Sequence, residues 1–368
     1  MKAWVQSWQF VIGSYFSMLL FLLFSVAMIY RGAFFLLPVT LIMILVPILD
    51  SITGQDLTPD EIRLSRIQQY LIEAAPALFV LGNAIVIYIA ACSFGGLRMS
   101  EKGFVTVSVG MIGSIGITAA HELVHKPQRW SKIIGRLGLA NVFYLHFEIN
   151  HIRGHHVRVG TDEDQSTAWL GESVYRFVFR TIPGCLRVSW ELEAERLNRR
   201  GLTVVSFDNQ LVQFAALQGA YIAAIWFLAG WTGIALFFLQ AAIAIFMLEA
   251  VSYIEHYGLM RTKCADGKYE PMRPTKSWDC YGQFSSYLVF QLQRHADHHA
   301  YPTKSFASLR TANDAQKLPV GYPLLVGVAM IPPLWRRIMD SRVRANQAPL
   351  PVLSYKNAQV LSSDRWSN

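Results

Sequence analysis

Residues 10–30 read FVIGSYFSMLLFLLFSVAMIY, and the whole run lacks aspartate, glutamate, lysine, arginine and histidine. At about 1.5 Å of rise per residue, a helix of this length crosses about 30 Å of hydrocarbon. The apolar run exceeds the roughly 7–15 residues of a signal-peptide core, and no cleavage site follows it. We therefore predict a retained transmembrane helix.

Five further stretches share this character, although two are short for a span and one contains Glu73. They are 32–49, 70–92, 104–120, 211–229 and 234–254. Charged residues make up only 16% of the chain, whereas a soluble domain carries about a quarter. The sequence therefore predicts an all-α fold, a six-transmembrane-helix bundle forming a single domain over residues 1–368.

The lysines and arginines predict the orientation of this bundle. If the N-terminus is cytoplasmic, the external segments hold only Arg31, Arg98 and Lys102 of the 33 lysines and arginines. This asymmetry is the positive-inside pattern, so we expect both termini on the cytoplasmic side. The remaining parts are a cytoplasmic cap, 121–210 and 255–345, and a loosely held tail, 346–368.

Charge and cysteine content narrow the classes of function. The net charge of +8 suits either anchoring beside anionic membrane lipid or docking of an acidic protein partner, and we expect no nucleic acid. The four cysteines form no CxxC pair, which argues against a disulfide framework and against a cysteine metal site. They are Cys92, Cys185, Cys264 and Cys280.

The ten histidines fall into four groups, in HELVHK, HFEINHIRGHH, YIEHYG and RHADHH. None lies in the middle of a predicted span, and His121 and His256 follow the fourth and the sixth span. The orientation argument places both of these ends on the cytoplasmic side. All four groups can therefore meet in one layer just inside the cytoplasmic interface, where they would form a histidine-rich di-metal site.

Helical spacing strengthens this prediction, because residues three or four apart share a helix face. The candidate metal ligands are His121, His125, His151, His155, His156, His256, His295, His298 and His299. Imidazole without thiolate suits iron, zinc, copper or nickel. Nine ligands are too many for one ion, so two ions are expected.

Carboxylates inside these motifs are expected to orient the ligand rings, as such groups commonly do around metals. Asp297, inside the HADHH run, is the leading candidate. The others are Glu122, Glu148, Asp162, Glu163, Asp164 and Glu255. His146 continues no helical face and is expected to be structural or to support the ligands from outside, and Glu249, deeper in the membrane, is left open.

Two other classes compete with this interpretation. HELVH matches the HExxH signature of zinc metalloproteases, in which the glutamate is the general base, but such a site leaves most of the clustered histidines unexplained. A metal transporter would carry ionisable ligands midway through its spans, and these spans have almost none there. A protease would cleave peptides without oxygen, and a transporter would move metal without turnover.

Taken together, the motifs resemble those of the AlkB-type alkane 1-monooxygenases, which are integral-membrane non-haem di-iron hydroxylases related to membrane fatty-acid desaturases and xylene monooxygenase. The resemblance rests on HELVHK, NHIRGHHVRVGTDED, SYIEHYGLMR and LQRHADHHAYPTKSFASLR, and continues through ELEAERLNRRGLTVVSFDNQ and LPVGYPLLVGVAMIPPLW over nearly the whole chain. It implies that the nine histidines bind two iron ions. The family usually has Glu-His where this chain has Asn150-His151, and Asn-Tyr where it has Ser252-Tyr253, so position 150 lacks a carboxylate.

The resemblance implies that an alkane, O2 and two electrons yield a primary alcohol and water at the bacterial inner membrane. The chain has no iron–sulfur pattern and no dinucleotide fingerprint, so the electrons must come from outside. The resemblance implies rubredoxin as donor, reduced by an NAD(P)H-dependent reductase. Candidate docking residues are Arg129, Lys132, Arg136, Arg199 and Arg200. The alternative substrates are an alkyl aromatic, an alkyl ether or a fatty acid.

Overall fold

The computed structural model describes residues 2–56 and 64–346. In chain order, its α-helices are α1 (Lys2–Gly13), α2 (Leu19–Tyr30), α3 (Leu37–Thr40), α4 (Val46–Thr53), α5 (Arg66–Phe94), α6 (Met99–Val124), α7 (Arg129–Ala140), α8 (Phe147–Ile149), α9 (His156–Arg158), α10 (Val174–Asn198), α11 (Gln210–His256), α12 (Gln283–Leu288), α13 (His295–Ala300), α14 (Tyr322–Ala329) and α15 (Pro332–Asn346). Short 3-10 turns occur at Phe16–Met18, Gly32–Leu36, Pro274–Lys276 and Phe306–Ser308, and π-helical turns at Leu41–Leu45 and Asn150–His155. Two short strands, β1 (Trp278–Asp279) and β2 (Gln316–Lys317), pair in parallel. Apart from this pair and isolated β-bridges, the regular secondary structure of the described chain is helical, as predicted, with loops between the helices. The predicted tail from residue 347 onward lies outside the described residues.

Five helical runs in the described part are apolar enough and long enough to cross a membrane. They are Val5–Tyr30, Gly32–Thr53, Arg66–Phe94, Met99–Val124 and Gln210–His256. The last two continue past the predicted ends of their spans, so His121 and His256 lie within helices instead of after them. The six predicted spans all fall in these runs, and their number of membrane crossings stays a prediction.

The run Gln210–His256 is a hairpin of two helices. Gly230 has φ 61° and ψ −160°, a left-handed conformation that glycine adopts without a steric penalty. In a straight helix, Tyr221 and Phe237 would lie about 24 Å apart, yet their ring centroids are 5.6 Å apart. The chain therefore reverses at Gly230, between the predicted fifth and sixth spans.

Helix α6 lies at the centre of the bundle and carries its first histidines. Its small residues let neighbouring helices approach closely. A Cβ atom at Gly110 would lie 2.6 Å from Cβ of Ile243 in α11, and one at Gly116 would lie 2.5 Å from the amide nitrogen of Asn83 in α5. Because the space around α6 is filled, its register against α5 and α11 determines where His121 lies.

Helix α7 folds back along α6 instead of leaving the bundle. A Cβ atom at Gly138 would lie 2.7 Å from the Ala120 side chain. The chain then turns at Asn141, whose side-chain oxygen accepts a hydrogen bond from Tyr221 and whose carbonyl accepts one from Gln240, at 2.7 and 2.9 Å. These side chains satisfy backbone and amide groups that apolar surroundings would leave unpaired. Part of the predicted cap thus lies beside α6.

A second core holds the C-terminal region against α11. Trp335 is fully buried and its ring packs 5.2 Å from that of Tyr257, whose carbonyl accepts a 2.9 Å hydrogen bond from Trp278 Nε1. In β1, Asp279 accepts a 2.9 Å hydrogen bond from the backbone nitrogen of Ala296 in α13. The position of α13, which carries the HADHH run, is therefore coupled to the end of α11.

Candidate metal centre

Nine of the ten histidines meet in two groups. Within each group, one ligand nitrogen of every ring lies within 4.8 Å of those of the others. The five-histidine group comprises His121, His125, His151, His156 and His298, and the four-histidine group comprises His155, His256, His295 and His299. The structure thus brings together the same nine histidines that sequence spacing selects.

In the five-histidine group, ring nitrogens face one another directly. Nε2 of His151 lies 2.7 Å from Nε2 of His121 and 3.0 Å from Nε2 of His156. Nε2 of His298 lies 3.2 Å from Nε2 of His156. His156 is the only member of either group that is partly exposed, so this group lies closer to the protein surface at that ring.

The four-histidine group has the same arrangement. Nε2 of His295 lies 3.0 Å from Nε2 of His299 and 3.1 Å from Nε2 of His256. The His155 ring completes the group, with its centroid 4.8 Å from that of His256 and 4.9 Å from that of His299. All four rings are buried.

The donor atoms fit bound metal ions. Two nitrogen ligands at about 2.1 Å from one ion and at right angles to each other lie about 3 Å apart, which matches the spacings in both groups. Burial lowers the pKa of His125, His151, His156, His295, His298 and His299 well below its usual value. Neutral imidazole is the form that binds metal. Nitrogen donors without thiolate suit iron, zinc, copper or nickel.

A π-helical turn divides the middle histidines between the groups. His151 and His155, four residues apart, lie in different groups, whereas His151 and His156, five apart, lie in the same one. The turn at Asn150–His155 has the wider π-helical repeat, in which residues five apart are hydrogen-bonded neighbours. A spacing of four, which was expected to place His151 and His155 on one face, therefore does not assign them to one group.

Helix α13 contributes to both groups. His295 and His299 belong to the four-histidine group, and His298 belongs to the five-histidine group. The HADHH run therefore lies between the two groups and supplies side chains to both, which explains why three histidines are so closely spaced there.

Asp164 holds the ring of His155, one of the four-histidine group. Its Oδ2 atom lies 2.9 Å from Nδ1 of His155 and accepts a 2.6 Å hydrogen bond from the Thr167 hydroxyl. Burial would raise the pKa of Asp164, but His155 and Thr167 stabilise the carboxylate and lower it. With Nδ1 engaged in this way, His155 presents Nε2 to its group.

We expect Asp164→Asn to weaken metal binding by the four-histidine group about 10- to 100-fold, because such outer carboxylates contribute about that much to metal affinity. A metal titration of stripped protein, with the metal remaining at each free concentration counted per chain, measures this loss. Asp162→Asn is the matched control, because Asp162 is exposed and two residues away. Equal affinities in the two variants would contradict the orienting role.

Glu255 lies beside the same group. Its Oε2 atom is 3.4 Å from Nε2 of His295, and its Oε1 atom accepts a 2.7 Å hydrogen bond from the Tyr322 hydroxyl. A carboxylate is thus present at the four-histidine group, as proposed from the YIEHYG motif. Tyr322 and Thr167 were not predicted, because a lone hydroxyl outside any repeated spacing gives no sequence signal.

Asp297 was expected to orient a histidine ring, but its carboxylate binds other partners. Its Oδ2 atom accepts hydrogen bonds from Lys304 Nζ and from the Arg310 backbone nitrogen, both at 2.9 Å. On a helix, a residue two positions after one histidine and one before another does not share their faces. The structure gives the orienting contact on His155 to Asp164, and any role of Asp297 at the centre stays a prediction.

The remaining predicted carboxylates face cations or solvent. Glu122 pairs with Lys126 Nζ at 2.7 Å, and Glu148 forms a two-pronged pair with Arg136, both contacts at 2.8 Å. Two further candidates, next to Asp164 in the chain, are exposed: Asp162 and Glu163. Arg136, one of the candidate docking residues, is partly exposed but already paired with Glu148.

His146 belongs to neither metal group. Its ring packs 4.7 Å from that of Tyr144, its Nε2 atom has no hydrogen-bond partner in the described chain, and burial lowers its pKa to about 4. Tyr144 donates a 2.7 Å hydrogen bond to Glu249. Tyr144 therefore contacts both His146 and Glu249.

An apolar cavity of about 540 Å³, counting its open mouth, lies beside the centre. Its wall includes Thr118, three residues before His121, and Leu292, three before His295. Tyr322, which bonds Glu255, also lines it. Along α6 the lining extends back from Thr118 to Met111, a distance of about 10 Å. The cavity therefore leads from the apolar bundle toward the histidines.

Comparison with known proteins agrees with this site. Residues 103–325 match the fatty acid desaturase family model. The chain is 37% identical to alkane 1-monooxygenase 1 of Pseudomonas aeruginosa over 82% of this chain and 81% of that protein. It is 38% identical to the alkane 1-monooxygenase of Acinetobacter baylyi, over 82% and 74%, and 25% identical to the xylene/toluene monooxygenase hydroxylase component of Pseudomonas putida, over 66% and 65%. The chain therefore belongs to the fatty acid desaturase family and, within it, to the alkane 1-monooxygenases.

Proposed function

We propose that this protein is a membrane di-iron monooxygenase that hydroxylates the terminal carbon of alkanes to primary alcohols, using O2 and electrons from rubredoxin. The observation that carries the proposal is the pairing of nine converging histidines with an apolar cavity whose wall includes residues three positions before His121 and His295. The names of the relatives support the same reaction. Two groups of nitrogen donors support two metal ions, and a donor set without thiolate suits iron.

The cavity is suited to an unbranched hydrocarbon. Its two α6 hydroxyls, on Ser114 and Thr118, donate to the carbonyls of Met111 and Ile115 in their own helix, each at 2.8 Å. They therefore leave no unpaired polar group facing the cavity. Burial of an alkyl chain contributes about 0.8 kcal/mol per CH2, and a space that leads toward the histidines would present the end of the chain first.

Residues of this chain would hold the metal ions and shield the reacting carbon from water. The nine histidines would bind the ions, and Asp164 would fix the ring of His155. Bound iron would supply the activation of O2 and the oxidation of the C–H bond. The buried rings and the apolar lining would keep bulk water from the reacting carbon, which strengthens electrostatic interactions in the site.

The electron donor and the location belong to the proposal as well. We place the protein in the bacterial inner membrane with both termini and the centre on the cytoplasmic side, because the lysines and arginines are concentrated there. The NAD(P)H-dependent reductase would deliver electrons through rubredoxin. Arg129, Arg199 and Arg200 are exposed, Lys132 is partly exposed, and these four remain candidates for docking.

Two alternative functions can be distinguished from alkane hydroxylation. Hydroxylation of an alkyl aromatic is the alternative that the 25% identity to the xylene/toluene enzyme suggests. A zinc protease would require Glu122 as general base at the metal, but Glu122 pairs with Lys126 and accepts a 3.2 Å hydrogen bond from the Phe306 backbone nitrogen. That geometry argues against the protease.

The test is turnover by purified protein in lipid nanodiscs, with rubredoxin, its reductase, NADH and alkanes of increasing length. We expect primary alcohols that require both O2 and rubredoxin, and none under nitrogen. Product from alkyl aromatics or fatty acids alone would favour the related hydroxylase. Peptide cleavage without O2 would overturn the proposal.

A further inference from the structure

Helix α10 presents a row of side chains to the segment 146–156, which carries four of the histidines. Cys185, Ser189 and Glu193 are spaced four apart and lie on one helix face, and all three are buried. None of them belongs to either metal group. The row includes the first part of the ELEAERL motif, for which the reaction itself provides no use.

The first two members hold the start of the histidine segment. Asn150 donates a 3.1 Å hydrogen bond to the sulfur of Cys185, and the Ser189 hydroxyl donates one of 3.0 Å to the carbonyl of His146. Asn150 begins the π-helical turn. Position 150, which lacks the carboxylate usual in the family, is therefore bound to α10 by an amide.

Glu193 binds the middle of the same turn. Its side chain is fully buried, and Arg153 Nη2 lies 2.6 Å from its Oε1 atom. Arg196 donates two hydrogen bonds to it, at 3.0 and 2.8 Å, and the Gln210 backbone nitrogen donates one at 2.9 Å. Burial would raise the pKa of Glu193, but these donors lower it to about 2. The carboxylate is therefore ionised at neutral pH.

The π-helical turn is the element that needs this support. Such turns are rare and occur mostly as single turns at functional sites. If residues 150–155 returned to α-helical spacing, His155 instead of His156 would share a face with His151. The assignment of histidines to the two groups would then be lost, although every ligand would still be present.

We propose that Glu193 and Arg153 form a positioning pair, in which the buried Glu193 carboxylate binds the partly exposed Arg153 guanidinium and holds the turn 150–155 in the register that gives His151 and His156 to one metal group and His155 to the other. This inference rests on the metal-binding function proposed above and extends it to two residues outside both groups. Replacing Arg153 releases the turn from Glu193, and replacing Glu193 leaves Arg153 without its carboxylate partner, so either residue can be tested.

The test compares Arg153→Gln, Arg153→Lys and Glu193→Gln with the wild type. Two quantities are measured: iron bound per chain across a titration of stripped protein, and amide hydrogen exchange of residues 146–158 in metal-free protein. We expect Arg153→Gln and Glu193→Gln to lose about 10- to 100-fold in metal affinity and to exchange at least about tenfold faster at 150–156. Arg153→Lys, which keeps the charge, should fall between them and the wild type.

Glu195→Gln is the matched control, because Glu195 lies on the same helix and is exposed, with a loose 3.7 Å contact to Arg199. It should behave as the wild type. Wild-type affinity and wild-type exchange in Arg153→Gln would overturn the inference. If Glu193→Gln fails to fold, Arg153→Gln still decides, because it leaves Arg196 and Gln210 bound to Glu193. If the wild type itself binds no metal, the proposed function fails, and the metal-free exchange still shows whether the pair holds the turn.

Discussion

Replacing His256 with alanine is expected to remove one metal ion per chain, to leave the other in place and to abolish hydroxylation. His256 is one of the four histidines of the smaller group, and its Nε2 atom lies 3.1 Å from that of His295. Three imidazoles would remain there, while the five-histidine group keeps all its donors. The measurement is metal per chain after reconstitution, together with alkane turnover.

His146→Ala is the matched control, because His146 is also a buried histidine but belongs to neither group. We expect it to retain two metal ions. His121→Ala should give the complementary result and spare the four-histidine group. Full activity in His256→Ala, or equal metal loss in His146→Ala, would contradict the division into two groups.

Replacing Ser114 with phenylalanine is expected to exclude long alkanes and to spare short ones. Ser114 lines the cavity on α6, between Met111 and Thr118. A ring at this point would close the part of the cavity that lies farther from the histidines. Loss of about four buried CH2 groups costs about 3 kcal/mol, which corresponds to roughly a 100-fold loss of kcat/KM for the longest substrates.

Ser114→Ala separates filling of the cavity from loss of the hydroxyl. It removes an oxygen that already bonds within its own helix and should leave chain-length preference unchanged. Both variants should bind two metal ions. A uniform loss of activity on all chain lengths in Ser114→Phe, with metal retained, would show that the substrate lies elsewhere.

The apolar helices and the convergence of the nine histidines were predictable because each leaves a strong local signal. A run without charges, such as 10–30, must avoid water whatever its neighbours are. His121 and His256 lie near the ends of such runs. Once the orientation of the bundle is known, both are expected at the same depth relative to the membrane. The chain reversal at Gly230 was also readable, since it follows from two apolar runs separated by a glycine.

The partition of histidines between the groups was not predictable from spacing. It depends on the π-helical turn at 150–155, and that turn depends on contacts with Cys185 and Glu193, which lie more than thirty residues away in the chain. The path of α7 back along α6 is likewise a tertiary effect. Local periodicity carries no information about such contacts.

The contacts of the carboxylates were likewise not predictable from their positions in the chain. Asp297 was favoured because it lies between histidines in the chain, yet its carboxylate bonds Lys304. Asp164 carries the contact with His155 because the loop after α9 returns to that ring. Proximity along the chain predicts a side chain's direction only within a known helix face.

The most direct test of the account is the number and identity of metal ions in protein purified in detergent, with iron and zinc measured in the same sample. The account predicts close to two irons per chain with little zinc, and a fall to about one in His256→Ala. One zinc and no iron would contradict it, and would return the HELVH motif to the protease interpretation.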